Sequence, residues 1–140
     1  MQHLAQRAFS ATPQTVRAAR EFAMQALDGW GGCRRGDDIR LCVSELAGNA
    51  VQHGSLDGHD YLIRLVRRPL CLHVEVHDGT RHSPVRVPPR SLDAEDGRGM
   101  RIVEELCDTW GVRTDADSSK AVWTCFRRPE AHISRCSCTP

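Results

Sequence analysis

Lysine is almost missing from this chain: of nineteen basic residues only Lys120 is not arginine. No function is drawn from this skew. Excess charge is missing too. Eighteen acidic side chains against nineteen basic ones leave a formal net charge of +1, so no broad electropositive surface recommends nucleic acid or an anionic membrane as a partner. No apolar run reaches the roughly 18 residues of a membrane span, and the start, Met1 to Arg7, has no apolar stretch of about 7–15 residues such as a secretory signal carries. A cytoplasmic location is therefore expected. Repeats and low-complexity tracts are also absent, and 140 residues suit one domain, since domains most often run to about 100–150 residues.

Cysteine, by contrast, is plentiful, with seven in the chain. Cys33, Cys42, Cys71, Cys107 and Cys125 are scattered singly among mostly apolar neighbours, which reads as reduced thiols of a core. Cys136-Ser137-Cys138 is a close pair with no companion His or Cys at metal-ligand spacing, and reads as part of a frayed tail. The domain is thus expected over 1–130, with 131–140 as a flexible tail.

Periodicity and punctuation supply the elements. A strand is expected over His3–Phe9. Thr12-Pro13 has the form of an N-cap followed by proline at the first helical position, and Val16, Ala19, Arg20, Ala23 and Leu27 recur at helical spacing, predicting a helix to about Leu27. Gly29-Trp30-Gly31-Gly32 stops it. Asp37 or Asp38 is expected to cap a second helix, with Ile39, Cys42, Val43, Leu46 and Ala50 as its buried stripe and Gly54 as its end. Tyr61–Val66 and Leu70–Val76 then alternate as strands about a turn at Arg68-Pro69. From Gly79 to Gly97 periodicity is lost, and Pro84, Pro88 and Pro89 mark a loop longer than the roughly 12–15 residues beyond which connections are usually functional or disordered. A helix over Gly99–Cys107 and strands at Thr109–Thr114 and Ala121–Arg127 complete the order. Strands that do not alternate strictly with helices predict an α+β fold, a two-layer sandwich with helices on one face of a mixed, mostly antiparallel sheet.

Three polar features stand out. Glu45, Asn49 and His53 are spaced i, i+4, i+8 and share one stripe beside the apolar face, as a site or as a solvated helix face. Asp78 ends a strand, where it is either a turn residue or an acceptor for an exocyclic amine such as that of adenine, with Gly79 letting the chain turn away. Asp96-Gly97-Arg98-Gly99-Met100-Arg101 opens into a helix, where glycines let backbone N–H groups approach phosphate and the helix N-terminus favours an anion.

Taken in order, these segments resemble a known family. Ser44 through Gly54 looks like the N box of the histidine-kinase-like (GHKL, Bergerat-fold) ATPase superfamily, in the form found in anti-sigma-factor serine/threonine kinases. Asp78-Gly79-Thr80 through Pro84 is similar to its first glycine box, Gly97–Val103 to its second, and Lys120–Phe126 to its closing strand. Departures are Thr80, where the superfamily usually has glycine, and Ser119, where the family commonly has glycine before the lysine.

The resemblance implies the Bergerat α/β sandwich with ATP and Mg²⁺ as ligands. Asn49 would ligate the metal and Glu45 would be the catalytic base. Asp78 would read adenine, with Gly79 and Pro84 in its glycine box; Gly97, Arg98, Gly99 and Met100 would meet the phosphates, and Thr124 the base edge. His53 fits the motif and equally suits a helix-terminal histidine. By the same resemblance the protein would phosphorylate an anti-anti-sigma (antagonist) protein and sequester a sigma factor, and a homodimer is expected. The alternative is an ATP-binding module that holds a protein partner without catalysis.

Overall fold

Whether a strand alternates or runs apolar throughout sets where it lies in this protein. The computed structural model describes residues 3–54, 60–78, 95–114 and 120–128. Its elements are β1 (His3–Ser10), α1 (Thr15–Gly29), α2 (Gly36–Gly54), β2 (Asp60–Arg67), β3 (Cys71–Asp78), α3 (Glu95–Leu106), β4 (Thr109–Thr114) and β5 (Lys120–Arg127). They form a five-stranded sheet of order β1-β2-β3-β5-β4, and every described pairing is antiparallel. In β3 the run from Cys71 to Val76 is buried without a break, as suits a central strand covered on both faces. β2 instead hides Tyr61, Ile63 and Leu65 on one face while Leu62 and Arg64 stay half-buried.

One face of the sheet carries the helices. Pairing places Tyr61, Ile63 and Leu65 beside Asp78, Val76 and Val74, and those beside Lys120, Val122 and Thr124. Over them lies α2, which packs against β2, β3, α1 and α3. Its buried stripe is Ile39, Cys42, Val43, Leu46, Ala47, Ala50 and Val51, the 3.6-residue pattern of an amphipathic helix. Ala19, Ala23 and Leu27 of α1 and Met100 and Val103 of α3 close the same core. Small side chains on α1 let that helix approach closely.

The helix ends differ from expectation in instructive ways. α1 begins at Thr15 after an N-cap Gln14 whose side chain makes no capping bond, not at Thr12-Pro13. Thr12 acts through its carbonyl, which accepts from the Thr15 amide at 3.0 Å and from the Thr15 hydroxyl at 2.8 Å. α1 ends as a Schellman motif: Gly32 N–H donates to Leu27 O at 2.8 Å, Gly31 N–H to Asp28 O at 3.1 Å, and Gly31 has φ +97°, a conformation that costs glycine nothing. In α2, Asp37 and Asp38 lie inside the first turn and do not cap it. There their charges still favour the positive end of the helix dipole. The Arg68-Pro69 hairpin stands as expected, with Arg68 N–H bonded to Cys71 O at 2.8 Å.

Candidate functional site

The buried stripe of α2 fixes the helix's rotation, and this puts Glu45 and Asn49 at the margin of the core, both half-buried. One turn apart, they are separated by about 6 Å along the axis. Among the described residues no hydrogen bond or ion pair engages either side chain. Nearby Ser44 donates to Arg40 O at 3.1 Å and accepts from Arg20 Nη1 at 3.4 Å. Glu45 is also felt by the interior. The Cys42 thiol is pushed up to about 12, chiefly by burial, with the Cys107 and Glu45 charges adding and a Thr124 hydrogen bond opposing. His53 lies within the helical backbone of α2, but its side chain falls outside the described residues.

Asp78 is the last residue of β3 and half-buried. Alternation puts it on the helix side with Val74 and Val76, and the register sets it opposite both Tyr61 and Lys120. Thr124 lies on the same side, fully buried. Its hydroxyl donates to Val74 O at 3.0 Å and accepts from Cys42 Sγ at 3.9 Å. That proton is committed within the sheet, so Thr124 offers a ligand a lone pair only. Gly79 and Pro84, with the rest of 79–94, lie outside the described residues.

Gly97 and Arg98 fall inside the first turn of α3 and Gly99 opens the second, because the helix starts at Glu95. Residues 95–97, expected to end the long loop, are helical instead. The physical consequence suits the chemistry, since the first four N–H groups of a helix have no intrahelical partner. Met100 is 5% exposed and packs in the core. It anchors the turn, and what it could give a phosphate is its backbone. α3 packs directly on α2, so the glycine turn belongs to the element adjoining Glu45 and Asn49. The donor set on α2, a carboxylate and an amide oxygen, is hard and suits Mg²⁺.

A hollow of about 320 Å³ lies along α1 and α2, lined by Arg17, Arg20, Glu21, Asp28 and Arg40 among others. It includes neither Glu45 nor Asn49 and carries charges of both signs. A second group that sequence reasoning missed is on the sheet face away from the helices. Cys71 and His73 alternate onto that face of β3, and Cys125 of β5 stands directly opposite His73. Cys71 and Cys125 were expected among the core thiols. Both are buried, but on the far face, and Cys125 is disulfide-bonded. Alternation is the reason: Thr124 and Phe126 take the helix side, which turns Cys125 away. The i, i+2 spacing of Cys71 and His73 was the available clue. Cys136 and Cys138, like the rest of 131–140, lie outside the described residues.

A family model described as a histidine kinase-like ATPase domain matches residues 9–126. The chain belongs to that family. A search among curated proteins found no match. The histidine kinase-like ATPase match runs from the end of β1 into β5, so it takes in every element that carries Glu45, Asn49, Asp78, Gly97 and Thr124. The antiparallel sheet with three helices is the α+β fold of such ATPase domains. No helix among the described residues is long and apolar enough to cross a membrane.

Proposed function

We propose that this domain binds Mg²⁺·ATP and transfers the γ-phosphoryl group to a serine or threonine of a small anti-anti-sigma protein, and that it otherwise sequesters a sigma factor. The reading rests on Glu45 and Asn49, half-buried, one turn apart and, among the described residues, engaged by no hydrogen bond or ion pair, on the helix that adjoins both β3 and α3. Asn49 is the residue to hold the metal, which when bound neutralises phosphate charge. Glu45 takes the proton of the attacking hydroxyl as its oxygen bonds to the γ-phosphorus; the bond to the β-phosphate oxygen breaks and ADP leaves. Asp78 accepts from the adenine amine, the α3 turn offers N–H groups to the phosphates, and a homodimer would use the open edge of β1.

Incubation of the protein with labelled ATP, Mg²⁺ and candidate antagonists tests this. Glu45→Ala should keep nucleotide binding and lower transfer by about 100- to 10,000-fold, the usual worth of a general base. Asn49→Ala should lose Mg²⁺-dependent binding. Transfer unchanged in Glu45→Ala overturns the base assignment. Thr80 and Ser119, which depart from the usual glycines, favour a second reading in which the domain holds a partner without catalysis. Tight nucleotide binding with no transfer to any candidate would select it.

A further inference from the structure

The far face of the sheet, away from the helices, holds a group of side chains that phosphoryl transfer does not use. Cys71, His73 and Cys125 are all buried, and their ligand atoms lie within 4.8 Å of one another. His73 is fully buried, yet neither Nδ1 nor Nε2 has a hydrogen-bond partner. Buried polar atoms are almost always satisfied, so an orphaned imidazole aimed at two sulfurs asks for a missing partner. The Trp123 ring stacks beside it, 6.5 Å between centroids and 23° between planes, and fixes its orientation.

We propose that in its reduced form the chain binds one Zn²⁺ through Cys71 Sγ, His73 and Cys125 Sγ. Two sulfurs and an imidazole are the borderline-soft set zinc prefers, and Zn–S near 2.3 Å with Zn–N near 2.0 Å requires ligand atoms about 3.3–3.8 Å apart in a tetrahedron. The side chains need close by only about an ångström, within reach of small χ rotations. Among the described residues no fourth ligand joins these three. Cys125 is held in a disulfide, so reduction precedes binding. A dithiol reductant gives the disulfide two electrons and two protons and becomes a cyclic disulfide. Zn²⁺ then displaces one proton from each of the Cys71 and Cys125 thiols, releasing two. The site therefore loads only under reducing conditions. It sits on the opposite side of β3 and β5 from Asp78 and Thr124, so it is separate from the nucleotide residues.

The test is a titration of the full-length, dithiol-reduced protein with Co²⁺ under anaerobic conditions, followed by displacement with Zn²⁺. One equivalent should give intense thiolate-to-cobalt charge transfer and the strong visible bands of a tetrahedral ion, bleached by Zn²⁺ and absent before reduction. The wild-type spectrum reports the ligand set without any variant. Losing a partner outside the ligand set already costs metal sites about 10–100-fold, so Cys71→Ser and His73→Ala should weaken binding by more than about 100-fold. Cys33→Ser should leave it unchanged. Weak octahedral bands, no binding, or full-strength binding that persists in both Cys71→Ser and His73→Ala would overturn the proposal, the last by placing the metal elsewhere.

Discussion

Cys42 shows how one buried side chain ties stability to pH. In an unfolded chain a thiol ionises near about 8.5, whereas the folded protein holds the Cys42 thiol until about 12. Between these values the native state keeps a proton that the unfolded state has lost, so the contribution is whole below about 8.5 and drains away as pH rises toward the folded value. Urea midpoints should fall from neutral pH to pH 10.5, and Cys42→Ala should fall less steeply; parallel curves would refute the assignment. Glu75 illustrates the opposite balance. Burial raises its carboxyl, but the His77 hydrogen bond and the Arg113, His77 and Arg64 charges outweigh this and hold it below its usual range. Its contacts are 2.9 Å to His77 and 3.2 Å to Arg113, and Glu75→Gln should cost about 1.5–3 kcal/mol in chemical denaturation. At this scale the placement of Glu45 and Asn49 beside the core of α2 was legible, because the helical stripe fixes it. The sequence did not disclose that Thr124 bonds Val74 O or that Cys125 faces His73. Both depend on the register of β5 against β3, and period-two alternation says which residues share a face but not which face the helices cover.

Among the elements, β4 gives the sharpest test. Gly111 pairs opposite Trp123, and a Cβ built there would meet the indole at 2.6 Å. The ring lies on bare backbone, a glycine covered by an aromatic across the strands. Gly111→Ala must push Trp123 aside, an overpacking that should cost about 1–3 kcal/mol and loosen the ring stacked on His73. A drop in the unfolding midpoint with a shift in tryptophan emission is expected, and an unchanged midpoint would show that the ring yields freely. Element order and type were readable because each strand alternates or runs apolar for six residues or more and each helix has its stripe. Helix starts were less so. Thr12-Pro13 carries the right residue types, but the Thr15 hydroxyl, 2.7 Å from both Ser10 O and Tyr61 Oη, fastens the chain there and delays α1. That tie reaches a strand forty-six residues away, beyond any local pattern.

For the molecule as a whole, the nucleotide reading makes a thermodynamic claim. A ligand that binds only the native state stabilises it by RT ln(1 + [L]/Kd), about 2.7 kcal/mol at roughly 100 Kd. For a chain of 140 residues that should raise the melting midpoint by roughly 10 °C. The rise should require Mg²⁺ and ATP together, since Asn49 is assigned to the metal. The variants then separate binding from chemistry: Glu45→Ala should keep the rise and Asn49→Ala lose most of it, although both residues stand half-buried on the same helix face. A purely structural role for either would lower the midpoint without nucleotide and leave the increment intact. The increment, not the baseline, is therefore the decisive quantity. Asp78→Asn gives a third arm on another element, because an amide that presents N–H to the adenine amine repels where the carboxylate accepts; its increment should shrink for ATP, and a full increment would remove Asp78 from the base-reading role.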